Sequence, residues 1–266
     1  MDLKKIKNEL MEITEIAKKT EGCLKDREVR FLYFIASVIP KQLGQILEIG
    51  SFKGKSTVIL ANAIKNDSNC IINAVDPMIN TTKTDPYSKE EKNLENIFYT
   101  NLKNNNVEEK VKLHKMKSIE LVPEWNSKLK FLWIDGDHTY NGTLIDFEGF
   151  SPWLSNGGVV AIHDVLNEFE GSLRVFIEKI VLSPEYGPCG LCGSIGWGQK
   201  IDKNDLKKYM KNKIKLYKKL SKMVPYTLND ELPKGLNKKK YKFFRSFVPN
   251  REPNYQEMHN ILNINF

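Results

Sequence analysis

The chain is poor in the residues and patterns that mark several large protein classes. Its 266 residues hold four cysteines, Cys23, Cys70, Cys189 and Cys192, too few for a disulfide-stapled scaffold. Cys189 and Cys192 form a C-x-x-C, but no second pair or histidine cluster is present to complete a zinc site. No apolar run approaches the roughly 20 residues of a membrane-spanning helix. The opening MDLKKIKNELMEITEI has no apolar stretch leading to a small-residue cleavage site. A cytoplasmic protein is the expectation. No G-x-G-x-x-G occurs, which disfavours a nicotinamide dinucleotide. Gly-Lys-Ser at 54–56 is no P-loop, because no glycine lies five residues before Gly54. There is no internal repeat and no recognised DNA- or RNA-binding module.

What is present supports one substantial core with appendages. Hydrophobic residues make up 41% and aromatics 10% of the chain, enough to bury a core at this length. The net charge of +8 is unevenly placed. Residues 201–250 carry 15 Lys/Arg against 4 Asp/Glu, a net of +11, whereas the first 200 carry 25 against 27. This basic tail has two readings: an amphipathic helix packed on the core, or a contact surface for an anionic membrane or phosphorylated glycolipid.

Apolar spacing predicts helices over 2–20 and 27–39, the second stopped by Pro40. From residue 46 short apolar runs alternate with helical segments. The strands are 46–49, 71–75, 111–114, 131–135 and 159–163; the helices lie near 55–65, 89–104, 119–125 and 141–154. Such alternation predicts βαβ units and a parallel sheet whose ligands sit beyond the carboxyl ends of the strands. A helix near 170–182 and a Gly-rich hairpin over 187–199 would close the sheet. In the tail, 204–223 reads as a helix with Leu206, Met210, Ile214, Tyr217 and Leu220 along its apolar side. The expected organisation is a helical cap (1–45), an α/β core (46–200) and a basic extension (201–266).

Three segments carry chemistry. In ILEIGSFKGKSTVIL a strand ends at Glu48-Ile49-Gly50, turns past Ser51 and Gly54, and enters a helix at Ser56. Glycines allow close backbone approach, and a helix start offers N–H groups to an anion. Asp76, about 26 residues after Gly50, ends the second strand, where a carboxylate can accept from a ribose diol. In LKFLWIDGDHTY and SNGGVVAIHDV, neighbouring strands would bring Asp135, Asp137, His138, His163 and Asp164 to one rim. Five ionisable groups there are costly to desolvate unless paired or metal-bound.

Together, ILEIGSFKGKST, VDP, IDGDHTY and SNGGVVAIHDV resemble the class I S-adenosylmethionine-dependent methyltransferases, in the branch of bacterial sugar and macrolide O-methyltransferases. The resemblance covers about residues 28–200. It implies a Rossmann-like, doubly wound, mostly parallel sheet of seven strands with the last strand antiparallel. It also implies S-adenosylmethionine held by Glu48, Gly50, Ser51, Gly54, Ser56, Asp76, Ser118 on the adenine side, and Asp135. Metal-using relatives place an acid at Asp135 and Asp-Asp or Asp-Asn at the two positions held here by His163 and Asp164. The His is a departure that would suit Mn²⁺ or another transition ion better than Mg²⁺.

The expected reaction moves a methyl group onto a hydroxyl of a sugar, glycoside or secondary metabolite, with a small molecule or glycan as acceptor. His138 is the expected base, assisted by Asp137, or by a divalent metal at Asp135, His163 and Asp164; both routes are open. A nicotinamide-dependent oxidoreductase and a non-catalytic nucleotide- or glycan-binding protein are the rivals. Nucleic acid is not an expected partner, since no NPPY-type motif follows the fourth strand. A homo-oligomer is left open.

Overall fold

The computed structural model describes residues 3–79 and 93–262. Residues 80–92, which include Asp85-Pro86-Tyr87 and the first residues of the helix expected near 89–104, lie outside that description.

Two helices lead in, α1 (Leu3–Lys19) and α2 (Asp26–Val38). Alternation follows: β1 (Gln45–Ile49), α3 (Lys55–Ala63), β2 (Ile72–Val75), α4 (Leu94–Asn104), β3 (Val111–His114), the short α5 (Ser118–Leu121), β4 (Leu129–Ile134), α6 (Tyr140–Phe150) and β5 (Leu154–Ile162). Then come α7 (Glu170–Val175), which runs into a π turn, and the hairpin β6 (Tyr186–Cys192) and β7 (Ile195–Lys200). The last elements are α8 (Met210–Leu220), α9 (Gly235–Arg245) and α10 (Tyr255–Ile261).

The seven strands form one sheet in the order β3-β2-β1-β4-β5-β7-β6. β1 to β5 pair in parallel, and β7 runs antiparallel to both β5 and β6. Strands buried on both faces read as continuous apolar runs, and here the alternate residues divide between two cores. Ile46, Ile72, Phe131, Trp133 and Val159 join the core that includes α1 and α2. Leu47, Ile49, Leu132, Ile134 and Val160 join the other, with Phe147 and Phe150 of α6 and Leu216 of α8.

The chain reverses direction across the sheet between β1 and β4, so the crevice beyond their carboxyl ends is the natural ligand site of this topology. The parallel register continues into the loops. Gly50 N donates to Val75 O at 2.9 Å, Asp135 N to Ile49 O at 2.8 Å and His163 N to Ile134 O at 2.9 Å. Asp76, Gly50, Asp135 and His163 therefore stand side by side along one edge.

The tail departs from the expected pattern. The helix foreseen over 204–223 divides into a 3-10 turn (Lys203–Lys208) and α8. The buried side of α8 carries Lys213, Leu216 and Leu220, while Met210, Ile214 and Tyr217 face outward. Lys213 decides that orientation. Its Nζ donates to the carbonyls of Ile180 (3.1 Å), Ser183 (2.8 Å) and Tyr186. These are carbonyls at the end of the π turn and the start of β6, where a buried acceptor without a partner would be costly. Among the described residues no helix is long and apolar enough to cross a membrane.

Candidate active site

A cleft of about 870 Å³ opens at the carboxyl edge of the sheet. On the β1–β2 side it is lined by Gly50, Ser51, Phe52, Ser56 and Asp76, and on the β4–β5 side by Asp135, Asp137, His138, His163 and Asp164. Ser118 and Asp146 line a further wall, and Glu28 reaches in from α2.

The β1–β2 side is built by backbone. Gly50 has φ +84°, and a Cβ there would meet the Asp135 carbonyl oxygen at 2.2 Å, so the turn itself demands glycine. Asp76 holds the turn shut. Its Oδ2 accepts from Phe52 N at 2.8 Å and its Oδ1 from Met78 N at 2.7 Å. Burial raises its pKa, opposed by these backbone hydrogen bonds. A carboxylate offers about four acceptor positions, so two bonds leave room for a ribose diol.

Two expected cofactor residues do not line the cleft. Glu48 is fully buried behind the turn, where its Oε2 accepts from Thr57 Oγ1 of α3 at 2.5 Å. Burial pushes its carboxyl up to about 7. Gly54 turns away to start α3 at φ +84°, against the Phe98 ring of α4. Both act on the turn from behind, because the strand's alternation aims Glu48 into the sheet–helix core. Ser51 and Ser56 do line the cleft, and the buried Ser51 Oγ makes no hydrogen bond.

Ser118 starts α5 at the edge of the cleft, and its hydroxyl donates to Asp146 of α6. Asp146 was not foreseen. Burial raises its carboxyl to about 7. The signal was available in the sequence as an acid within the apolar LIDFEGF, on the side of the helix that turns inward.

The β4–β5 side is built by charge. His163 is buried, and its Nδ1 lies 2.8 Å from Asp135 Oδ1 and 3.5 Å from Asp164 Oδ1. Its Nε2 makes no hydrogen bond and lies 3.9 Å from Glu28 Oε2. Burial would lower its pKa, but the charges of Asp135 and Asp164 and the bond to Asp135 outweigh that and raise it well above the ordinary value. Glu28 is the second residue that sequence reasoning missed. It is 1% exposed, accepts from Ser194 N at 2.7 Å, Ser194 Oγ at 2.8 Å and Lys25 N at 3.0 Å, and lies 166 residues before Ser194 in a helix with no motif to mark it. Burial alone would raise its pKa; the His163 charge and the backbone bonds bring it down to about 2.

These distances correct the expected ligand set. Among the described residues no group of three or more His, Cys, Asp or Glu side chains is arranged to hold a metal ion. His163 Nδ1 instead lies against Asp135 Oδ1 as a hydrogen-bonding partner.

His138 stands in front of this cluster. Its ring stacks on Phe169 with centroids 4.8 Å apart at 24°. Its Nδ1 is 3.2 Å from Ser172 Oγ, and its Nε2 is 3.6 Å from Asp164 Oδ2 and 3.9 Å from Asp135 Oδ1. Asp137, expected to assist it, is turned the other way. Its carboxylate accepts from Thr139 N and Thr139 Oγ1, both at 3.0 Å, capping the turn into α6. Asp164 and Asp135 are the acids that flank His138.

Residues 47–165 match the family described as a methyltransferase domain. A putative O-methyltransferase from Klebsiella pneumoniae is similar at 14% identity, covering 74% of this chain and 90% of that one, with a TM-score of 0.54. The O-methyltransferase TomG from Streptomyces achromogenes, involved in tomaymycin synthesis and solved with SAM, is 14% identical over 73% of this chain and 89% of that one (TM-score 0.51). An O-methyltransferase from Bacillus cereus in complex with SAH is 18% identical over 74% and 91% (TM-score 0.50). At these identities the likeness is one of fold. Residues 47–165 thus match a methyltransferase domain, and the seven-stranded sheet has the fold of these O-methyltransferases.

Proposed function

We propose that this domain moves the methyl group of S-adenosylmethionine onto a hydroxyl oxygen of a sugar, glycoside or secondary metabolite. The observation that carries the reading is the single cleft in which a glycine turn with a ribose-ready Asp76 faces a histidine flanked by carboxylates. The cofactor, when bound, supplies the electrophilic methyl group. Gly50, Ser51, Ser56 and Asp76 would hold its methionine and ribose parts, and Ser118 with Asp146 its adenine side.

The residues of the chain do the rest. His138 Nε2 faces the cleft and takes the hydroxyl proton as the oxygen becomes nucleophilic. Ser172 at Nδ1 and Phe169 under the ring fix the imidazole, and Asp164 and Asp135 stabilise the imidazolium that results. Such a base contributes about 10²–10⁴-fold, with alignment of the acceptor supplying much of the remainder. His163 and Glu28 keep the flanking acids in place.

The test is turnover on a panel of hydroxylated acceptors with S-adenosylmethionine, read by S-adenosylhomocysteine release. A nicotinamide cofactor binding in its place would overturn the reading. Loss of activity with a chelator and recovery with a divalent ion would show Asp135, His163 and Asp164 rearranging around an ion that assists His138.

A further inference from the structure

The basic tail contains a helix whose outward side is apolar. Residues 232–251 include seven Lys and Arg and no acidic residue. Within this stretch α9 (GLNKKKYKFFR) packs inward through Tyr241, which is fully buried. Its hydroxyl accepts from Glu168 N at 3.1 Å, in the loop that also supplies Asn167 and Phe169 to the cleft. At about 100° per residue, Leu236 and Phe243 fall on the side opposite Tyr241, and Phe247 follows in the turn just beyond the helix. They are 66%, 59% and 55% exposed. Phe243 and Phe247 pack edge to face with centroids 5.1 Å apart, so they form one patch and not two scattered residues. Lys239 and Lys240 flank it and are exposed.

Packing on the core accounts for the inward side of α9 alone. A solvated helix would carry its lysines outward and its phenylalanines inward; here Phe244 packs on the core but Phe243 and Phe247 face water. We propose that the outward face of α9 is a docking surface for an anionic lipid membrane, with Phe243 and Phe247 entering the headgroup boundary and Lys239 and Lys240 contacting lipid phosphates. Interfacial helices combine these two features, and apolar burial and charge attraction act together there. A second copy of the chain is a poor occupant, because it would set one acid-free helix against another. Docking would hold the loop at Glu168 roughly one helix diameter, about 10 Å, from the lipid surface.

The experiment is retention of the full chain on vesicles of phosphatidylcholine mixed with phosphatidylglycerol, compared with phosphatidylcholine alone. Retention is expected on the mixed vesicles at low salt and is expected to fall with rising salt, since charge acts over only about 8 Å at 0.15 M. Lys239→Glu with Lys240→Glu should weaken it about ten-fold or more. Phe243→Ser with Phe247→Ser should weaken it comparably while leaving the charge intact. Both pairs are exposed, so an unchanged melting temperature confirms a folded variant. Absence of retention at low salt overturns the proposal, as does equal retention by both variants. Two further results overturn it: a dimer that Phe243→Ser with Phe247→Ser abolishes, and preferential capture of nucleic acid over vesicles.

Discussion

The two sides of the cleft are made by different physics. On the β1–β2 side the shape is steric. Gly50 is pressed against the Asp135 carbonyl, Gly54 against Phe98, and Asp76 ties two backbone N–H groups. On the β4–β5 side the shape is electrostatic. His163 is buried among Asp135, Asp164 and Glu28, and His138 leans on the same acids. A steric side tolerates no added atoms but stays put whatever its protonation. An electrostatic side keeps its shape only while its protons stay in place, and that suits a site that must accept one. The first is a seat and the second a reaction centre.

The largest effect that would sharpen this contrast is Gly50→Val. A side chain at φ +84°, 2.2 Å from a carbonyl oxygen, should cost about 4 kcal/mol or more of fold stability. Thermal unfolding without any ligand should already show the loss. A stable variant that merely binds cofactor poorly would break the steric account of this side.

His138→Ala should behave oppositely. Turnover should fall by about 10²–10⁴-fold, while calorimetry finds S-adenosylhomocysteine affinity within about two-fold of wild type. Normal turnover would remove His138 as the base and leave the fold and cofactor assignments standing.

Glu48 tests whether charge also matters behind the steric side. Its carboxyl is raised from 4.5 to about 7 in the folded chain, so the native state holds this proton more tightly than the unfolded state. The stability it contributes is fully present below about 4.5 and is lost as pH rises through about 7, a change of about 3 kcal/mol. Glu48→Gln should flatten that part of the stability–pH curve. An unaltered slope between pH 5 and 8 would mean that the carboxyl is ionised throughout.

The smallest effect is Asp76→Ala. Losing the ribose contact should weaken S-adenosylhomocysteine binding by about 1.5–3 kcal/mol. Because Phe52 N and Met78 N also lose their acceptor, the melting temperature should fall by a few degrees. A fall in stability with unchanged affinity would make Asp76 a cap for the turn and nothing more.

Much of this was legible in the chain itself. Runs such as FLWID announce strands buried on both faces, whereas VKLH, read the same way, proves to be the half-exposed edge strand β3; alternation with helical segments points to a parallel sheet. The rim then follows, because each strand's last residue is a local fact: Gly50, Asp76, Asp135 and His163 all stand where a strand stops. The same local reading misplaced Glu48, since only packing shows that its side of β1 faces α3. It misplaced Asp137, whose carboxylate the α6 turn consumes.

What the sequence alone determined is the set of elements, their order and the edge on which the chemistry lies, because periodicity and turn residues act over a few positions. Tertiary structure decided which groups meet. Glu28 reaches Ser194 and stands beside His163 from a helix far away in sequence, Asp146 meets Ser118 across two elements, and Lys213 takes the buried side of α8 while Met210, Ile214 and Tyr217 face outward. Such partnerships depend on satisfying buried charge and buried carbonyls over long sequence separations. No local pattern records that requirement, because its cost arises only once the chain has closed around the groups and excluded water.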